Sequence, residues 1–309
     1  MIRIGFILLC LFLLIGCQPT DVPDFERTIL DIRGQKFEIL TTKDLFENYL
    51  KEHRQFKDYS QASKKLIFKP IEKEIIENAE ASFMINSIKI PYEPSDFLRE
   101  QINHFDTKEA VEIIEKALYS ITGLIPGPDT KIILLPTSPF LQEQLDKYNL
   151  PGYGVAIGNG KFIIAINQTA DNWKEFLSYG IAHEYHHSTW ISRNWISSDF
   201  TLLEYLIFEG KADAFAKSVN DSIEVPSTKY ITREQENFVW NLIKTDIDKK
   251  GTKRLLNVMY GNDDIPFGSG YAIGYGILKS FKDNNPKYTD LEIIDMKPRK
   301  ILELSGYNN

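Results

Sequence analysis

The sequence predicts an α+β fold, and three observations predict it. The first third carries apolar residues at three- and four-residue steps, the spacing of helices packed on one face. The middle carries short apolar runs around glycine turns, and the last third returns to long helical patterns. With 309 residues, 43% of them hydrophobic and 26% charged, the chain can fill one large domain or two modest ones. Thirty-six Lys and Arg stand against 43 Asp and Glu, and a net charge of −7 lacks the basic footprint of a nucleic-acid binder. Fourteen prolines and 18 glycines are near ordinary usage, which excludes collagenous and low-complexity classes.

The chain opens on Met1-Ile2-Arg3, a short positive start. Thirteen residues, Ile4 to Gly16, follow with no polar side chain apart from Cys10. As a helix these extend about 20 Å, short of a bilayer core of about 30 Å, so residues 1–16 read as a signal peptide and not a span. Leu14-Ile15-Gly16-Cys17 resembles the lipobox of bacterial lipoproteins. The resemblance implies cleavage before Cys17 and lipidation of its thiol; an ordinary secretory signal with an incidental cysteine is the alternative. The two cysteines are Cys10 and Cys17, so the mature body forms no internal disulfide and relies on its core. Two or more acyl chains hold a protein firmly to a membrane. The expected mature protein is a body on a lipid tether at the extracytoplasmic face of the cell membrane.

Residues 17–27, with Pro19 and Pro23, read as the tether. Thr28 to Leu40 has two alternating runs around Gly34-Gln35, a hairpin pattern. Lys43 to Ala79 is helical in rhythm through Leu45, Tyr49, Leu66, Ile71 and Ile75, with Pro70 marking a break. Leu98 to Ile121 continues that rhythm, so 28–125 reads as a mainly helical region. The texture changes at Pro126-Gly127-Pro128, where a second unit, 126–309, is expected to begin. Lys131 to Leu135 is a strand, and Gly152 to Asn167 a hairpin turning at Gly158-Asn159-Gly160. Helical patterns then cover about 171–192, 200–220, 232–258 and 270–284.

Residues 183–187 read His-Glu-Tyr-His-His and fit H-E-x-x-H. Four residues apart on a helix, His183 and His187 can converge on one zinc ion, while Glu184, one step round, reaches a water on the metal without ligating it. The five-residue motif alone is a weak signal. Here three of the chain's five histidines lie inside it, and its flanks, Gly180-Ile181-Ala182 and Ser188-Thr189-Trp190, are uncharged. A buried histidine cluster without metal is the alternative. His186, three residues from His183, can compete as a ligand or support the site.

A catalytic zinc takes three protein ligands and keeps one position open. The best third candidate is Glu209, 22 residues beyond His187, set in the apolar run Tyr205-Leu206-Ile207-Phe208, where an unpaired carboxylate would be costly. Ion pairing with Lys211 or Arg193 is its alternative role, and Glu204 is a weaker rival. Gly210 and Ala212 allow two helices to approach closely. Asp213, four residues after Glu209, can accept the outer N–H of a ligating histidine, or it is an exposed helix charge.

H-E-x-x-H followed on a second helix by E-G-x-A-D resembles the gluzincin zinc metallopeptidases. More closely, HEYHH, FEGKADAF and GYAIGYGIL resemble a bacterial family of predicted Zn-dependent proteases of unknown substrate, over roughly residues 130 to 305. The resemblance implies a zincin-like metallopeptidase domain with one Zn2+ on His183, His187 and Glu209. Glu184 would be the general base and Asp213 the outer support. It also implies that the strand before the motif helix, Lys161 to Asn167, is an edge that pairs with an extended peptide substrate. The helical first third resembles nothing named. An oxyanion donor is needed as well; Tyr275 is the first choice and Tyr271 the second, with core packing of both as the alternative.

The reading is therefore a lipid-anchored zinc peptidase acting on peptide or protein substrates, with no nucleic-acid partner. Two others differ in class. One is a non-catalytic lipoprotein on the same fold, which would usually have lost Glu184 or a ligand. The other is a zinc amidase acting on cell-wall material.

Overall fold

The computed structural model describes residues 25–197, 199–221 and 223–307. The signal segment 1–16, Cys17 and the tether up to residue 24 lie outside the described residues. No described helix is long and apolar enough to cross a membrane.

The fold is α+β, with one five-stranded mixed sheet. Its strands are β1 (Glu26–Ile32), β2 (Gln35–Thr41), β3 (Thr130–Pro136), β4 (Gly152–Gly158) and β5 (Lys161–Ile166), in the order β1-β2-β3-β5-β4. The outer pairs β1–β2 and β4–β5 are antiparallel hairpins, and β2–β3 and β3–β5 are parallel. Arg33 and Gly34, both at positive φ, turn the first hairpin. Asn159-Gly160 turns the second, where Gly160 at φ 59° brings its Cα against the carbonyl of Asp129 and leaves no room for a side chain.

The run Lys131-Ile-Ile-Leu-Leu lacks alternation because β3 is covered on both faces. Ile132 and Leu134 belong to one core with Phe162 and Ile164, whereas Ile133 and Leu135 belong to another with Ile163 and Ala165. Helices α1 (Lys43–Glu52), α2 (Tyr59–Ser63), α3 (Lys69–Ile75) and α4 (Asp96–His104) contribute to the second core. On the opposite face lie α5 (Thr107–Thr122) and α7 (Trp173–Asn194); α6 (Pro139–Asp146) precedes β4. A third core joins α8 (Leu202–Val219), α9 (Arg233–Ile243), α10 (Thr252–Tyr260), α11 (Ser269–Asn284), α12 (Asp290–Asp295) and α13 (Pro298–Ser305).

Four expectations meet a different outcome. The sheet crosses the division expected at 125/126, because β2 pairs in parallel with β3 from Phe37↔Thr130 to Thr41↔Leu134. Pro70 does not break its helix. The π-helical turn Lys64–Phe68 precedes α3, and Pro70 stands in the first turn of α3, where its missing N–H costs least. The pattern 232–258 is two helices, parted by a turn of Lys244 to Gly251 in which Gly251 takes φ 145°. Strand β5 is not an edge. Strand β4 covers its outer side, so β4 is the edge that lines the cleft described next.

Candidate metal centre

Helix α7 carries the motif along the floor of a cleft of about 600 Å³. His183, Glu184 and His187 line it from α7, Glu209 and Asp213 from α8, and Gly152 to Ala156 from the edge strand β4. Helix α8 starts on a capping box in which Thr201 bonds the Glu204 N–H and Glu204 accepts from the Thr201 N–H at 2.7 Å. That use explains Glu204, which is exposed and is no ligand candidate. Two turns into α8, Gly210 meets Gly274 of α11 so closely that a Cβ on either would run into the opposing backbone. These glycines let α8 be clasped from behind while its other face turns towards α7.

The ligating atoms form a small triangle. His183 Nε2 and His187 Nε2 are 3.0 Å apart, and Glu209 Oε2 lies 3.2 Å from His187 Nε2 and 3.6 Å from His183 Nε2. Atoms bound tetrahedrally to one zinc at 2.0–2.1 Å stand about 3.4 Å from each other, so this donor set fits zinc. Two imidazoles and a carboxylate are also the donor chemistry that zinc takes in catalytic sites. Among the described residues, His183, His187 and Glu209 are the group whose ligating atoms all lie within 4.8 Å of one another. The competing roles for Glu209 fall away. Lys211 is buried and donates to the carbonyls of Ile294 and Met296, and Arg193 pairs with Asp295.

The two histidines are held by different means. His183 Nδ1 lies 2.9 Å from Asp213 Oδ1, a charge contact off the straight hydrogen-bond direction. Asp213 is itself fixed by two donors: the Tyr179 hydroxyl bonds Oδ1 and the Ser227 hydroxyl bonds Oδ2 at 2.6 Å. His187 Nδ1 is buried without an acceptor, and its ring instead stacks on Phe208 at 4.0 Å between centroids. Tyr179, one turn before His183, was within reach of a helical reading; Ser227, in the short turn Pro226–Lys229, carried no signal.

Electrostatics match this arrangement. Burial alone would raise the Glu209 carboxyl, but the attraction of His187 and the bonds from both histidines bring it down to about 2. Burial works against the charged form of His183, yet Asp213 and Glu209 hold its pKa well above the ordinary value. Burial pushes the Glu184 carboxyl up, opposed by His183 and His187. Glu184 rests against β4 at Gly154, where a Cβ would come within 2.5 Å of Glu184 Oε1. His186 is fully buried against Phe215 and is neither a ligand nor part of the cleft lining.

Of the two tyrosines in the G-Y-A-I-G-Y segment, Tyr271 lines the cleft and Tyr275 does not. Tyr275 lies one turn on, packed between the sheet core and the α8–α11 core. Glycines 270 and 274 set α11 against its neighbours, and the face they leave towards the metal ligands carries Tyr271.

No curated protein and no solved structure matches this chain. Residues 110–303, more than half of the chain, match the family described as "Predicted Zn-dependent protease (DUF2268)", and the chain belongs to that family.

Proposed function

We propose that the protein is a lipid-anchored, gluzincin-type zinc peptidase that hydrolyses peptide bonds at the extracytoplasmic face of a membrane. The observation that carries this reading is the triangle of His183, His187 and Glu209 with Glu184 in the same cleft. One zinc per chain on those three residues supplies Lewis acidity, polarising a carbonyl and easing proton loss from water.

The chain's own residues do the rest. The backbone of β4 over Gly152–Ala156 offers an edge on which an extended peptide lies as an added strand. Glu184, buried and without a hydrogen bond at Oε2, takes a proton from the attacking water and passes it to the departing amine nitrogen. Tyr271 faces the same space; burial pushes its phenol well up, so it stays protonated and donates to the carbonyl oxygen as charge develops there. Asp213 and Phe208 hold the histidines in place. Anchoring rests on the Leu14-Ile15-Gly16-Cys17 segment.

The test is elemental analysis of the full chain purified in detergent, followed by proteolysis of unfolded polypeptides. About one zinc per chain, and cleavage that Glu184→Gln abolishes with zinc retained, is the expected result. A parent that takes up no zinc at micromolar metal would overturn the reading.

A further inference from the structure

The cleft extends beyond the ligands into a wall of aromatic rings. Tyr148 follows α6, Tyr230 follows the turn Pro226–Lys229, and Phe267 precedes α11, so three separate connections each deliver one ring. Tyr148 stacks on Phe267 with centroids 4.9 Å apart, Tyr230 meets Tyr148 edge-on at 5.0 Å, and Tyr230 meets Phe267 edge-on at 5.3 Å. Gly268, at φ 77°, packs its backbone on the Tyr230 ring, and a side chain there would collide with it. The loop is thus shaped to seat this ring.

Core packing accounts for part of the wall, since Tyr148 and Tyr230 lean on the sheet core, but not for its outer rings. Phe267 remains 36% exposed and its neighbour Tyr260 43%, although both line an indented surface where burial was within reach. Rings held open to water in a concave, mostly apolar cleft mark a place that a ligand covers. Aromatic faces and edges select another large apolar group, an aromatic ring above all. Ring faces also attract cations, and the cleft carries Lys147 beside Glu184, Glu209 and Asp213, so a basic side chain is the rival occupant that the test separates.

We infer that Tyr148, Tyr230 and Phe267 form the subsite that selects substrate, and that it takes a large apolar side chain, aromatic by preference, next to the scissile bond of a peptide lying on β4. The inference rests on the peptidase reading and names the substrate class for that same site. It separates stretches rich in aromatic and large aliphatic residues, normally buried in folded proteins, from exposed polar segments. The substrate is then unfolded or extended polypeptide.

The test uses the zinc-loaded full chain in detergent micelles and an unbiased mixture of peptides, with products identified by mass spectrometry. Cleavage should concentrate at bonds flanked by Phe, Tyr or Leu. With matched peptides carrying Phe or Ala at that position, kcat/KM should favour Phe by about 10- to 100-fold. In Tyr148→Ala and Phe267→Ala, the Phe peptide should slow about tenfold and the Ala peptide little, with zinc content unchanged; Tyr148→Phe should keep the preference. Cleavage without aromatic preference, or preference for Lys or Arg, overturns the subsite and leaves the peptidase reading standing. Equal slowing of both peptides in the variants overturns it too. Zinc-loaded protein that cleaves no peptide overturns the peptidase reading, and the subsite with it. Because the preference is read first on the unaltered protein, a variant that fails to fold does not shield the inference.

Discussion

Gly210 and Gly274 touch where α8 crosses α11, and neither position has space for a Cβ. Glu209 is the residue before Gly210, so the crossing that packs the third core also sets the position of a candidate metal ligand. Gly210→Ala should force the helices apart, with the cost of overpacking a filled core, about 1–3 kcal/mol or more. Thermal denaturation reads the stability loss, and zinc titration should show weaker binding in the same variant. Full zinc affinity in a destabilised Gly210→Ala protein would separate the crossing from the site.

The unequal support of the two histidines leads to a second expectation. Asp213→Asn removes the charge beside His183 and should weaken zinc binding about 10- to 100-fold. Phe208→Ala takes away the ring stacked on His187, whose Nδ1 has no acceptor, and should weaken zinc as well. His187→Ala and Glu209→Ala, by contrast, remove ligands and should lose zinc outright. Competition with a chromogenic chelator ranks all four.

Acid should loosen the N-terminal hairpin. Glu74 pairs with Arg27 at 3.0 Å and Lys131 at 3.2 Å, joining α3, β1 and β3. Burial alone would raise its carboxyl, but bonds from Arg27 and Lys131 outweigh that and hold it below the ordinary 4.5. A depressed folded value gives stabilisation that is full above the unfolded value and lost as pH falls through the folded one. Glu74→Gln should therefore cost about 1 kcal/mol or less near neutrality, and the gap from the parent should close as pH falls below the ordinary 4.5. Urea midpoints across that range check it; a gap that widens in acid contradicts it.

If Cys17 carries the proposed anchor, Cys17→Ser should abolish acylation and weaken the hold on the membrane. Fractionation with palmitate labelling reads this. A Cys17→Ser protein that still pellets and still labels would place the anchor elsewhere.

Much of the candidate site was legible because it follows from helix geometry. His183 and His187 stand four apart on α7, and Glu209 and Asp213 four apart on α8, so each pair shares a face whatever else the chain does. The apolar setting of Glu209 likewise told that its carboxylate needed a partner. The hairpins at Gly34 and Gly160 were legible for the same local reason: short turns between alternating runs.

What the sequence could not decide depends on groups brought together from afar. Strand order is set by long-range pairing, so β4 and not β5 became the edge, and the hairpin of β1 and β2 joined a sheet whose other strands begin almost 90 residues later. That Tyr271 and not Tyr275 lines the cleft turned on how the glycine crossing orients α11. Ser227 on Asp213 and the rings of Tyr148, Tyr230 and Phe267 come from separate turns with no shared period. Local spacing thus determined which side chains can hold a metal and work a proton. Only the packing of three cores determined which surface meets them, because that surface is built from residues whose nearness no single element encodes.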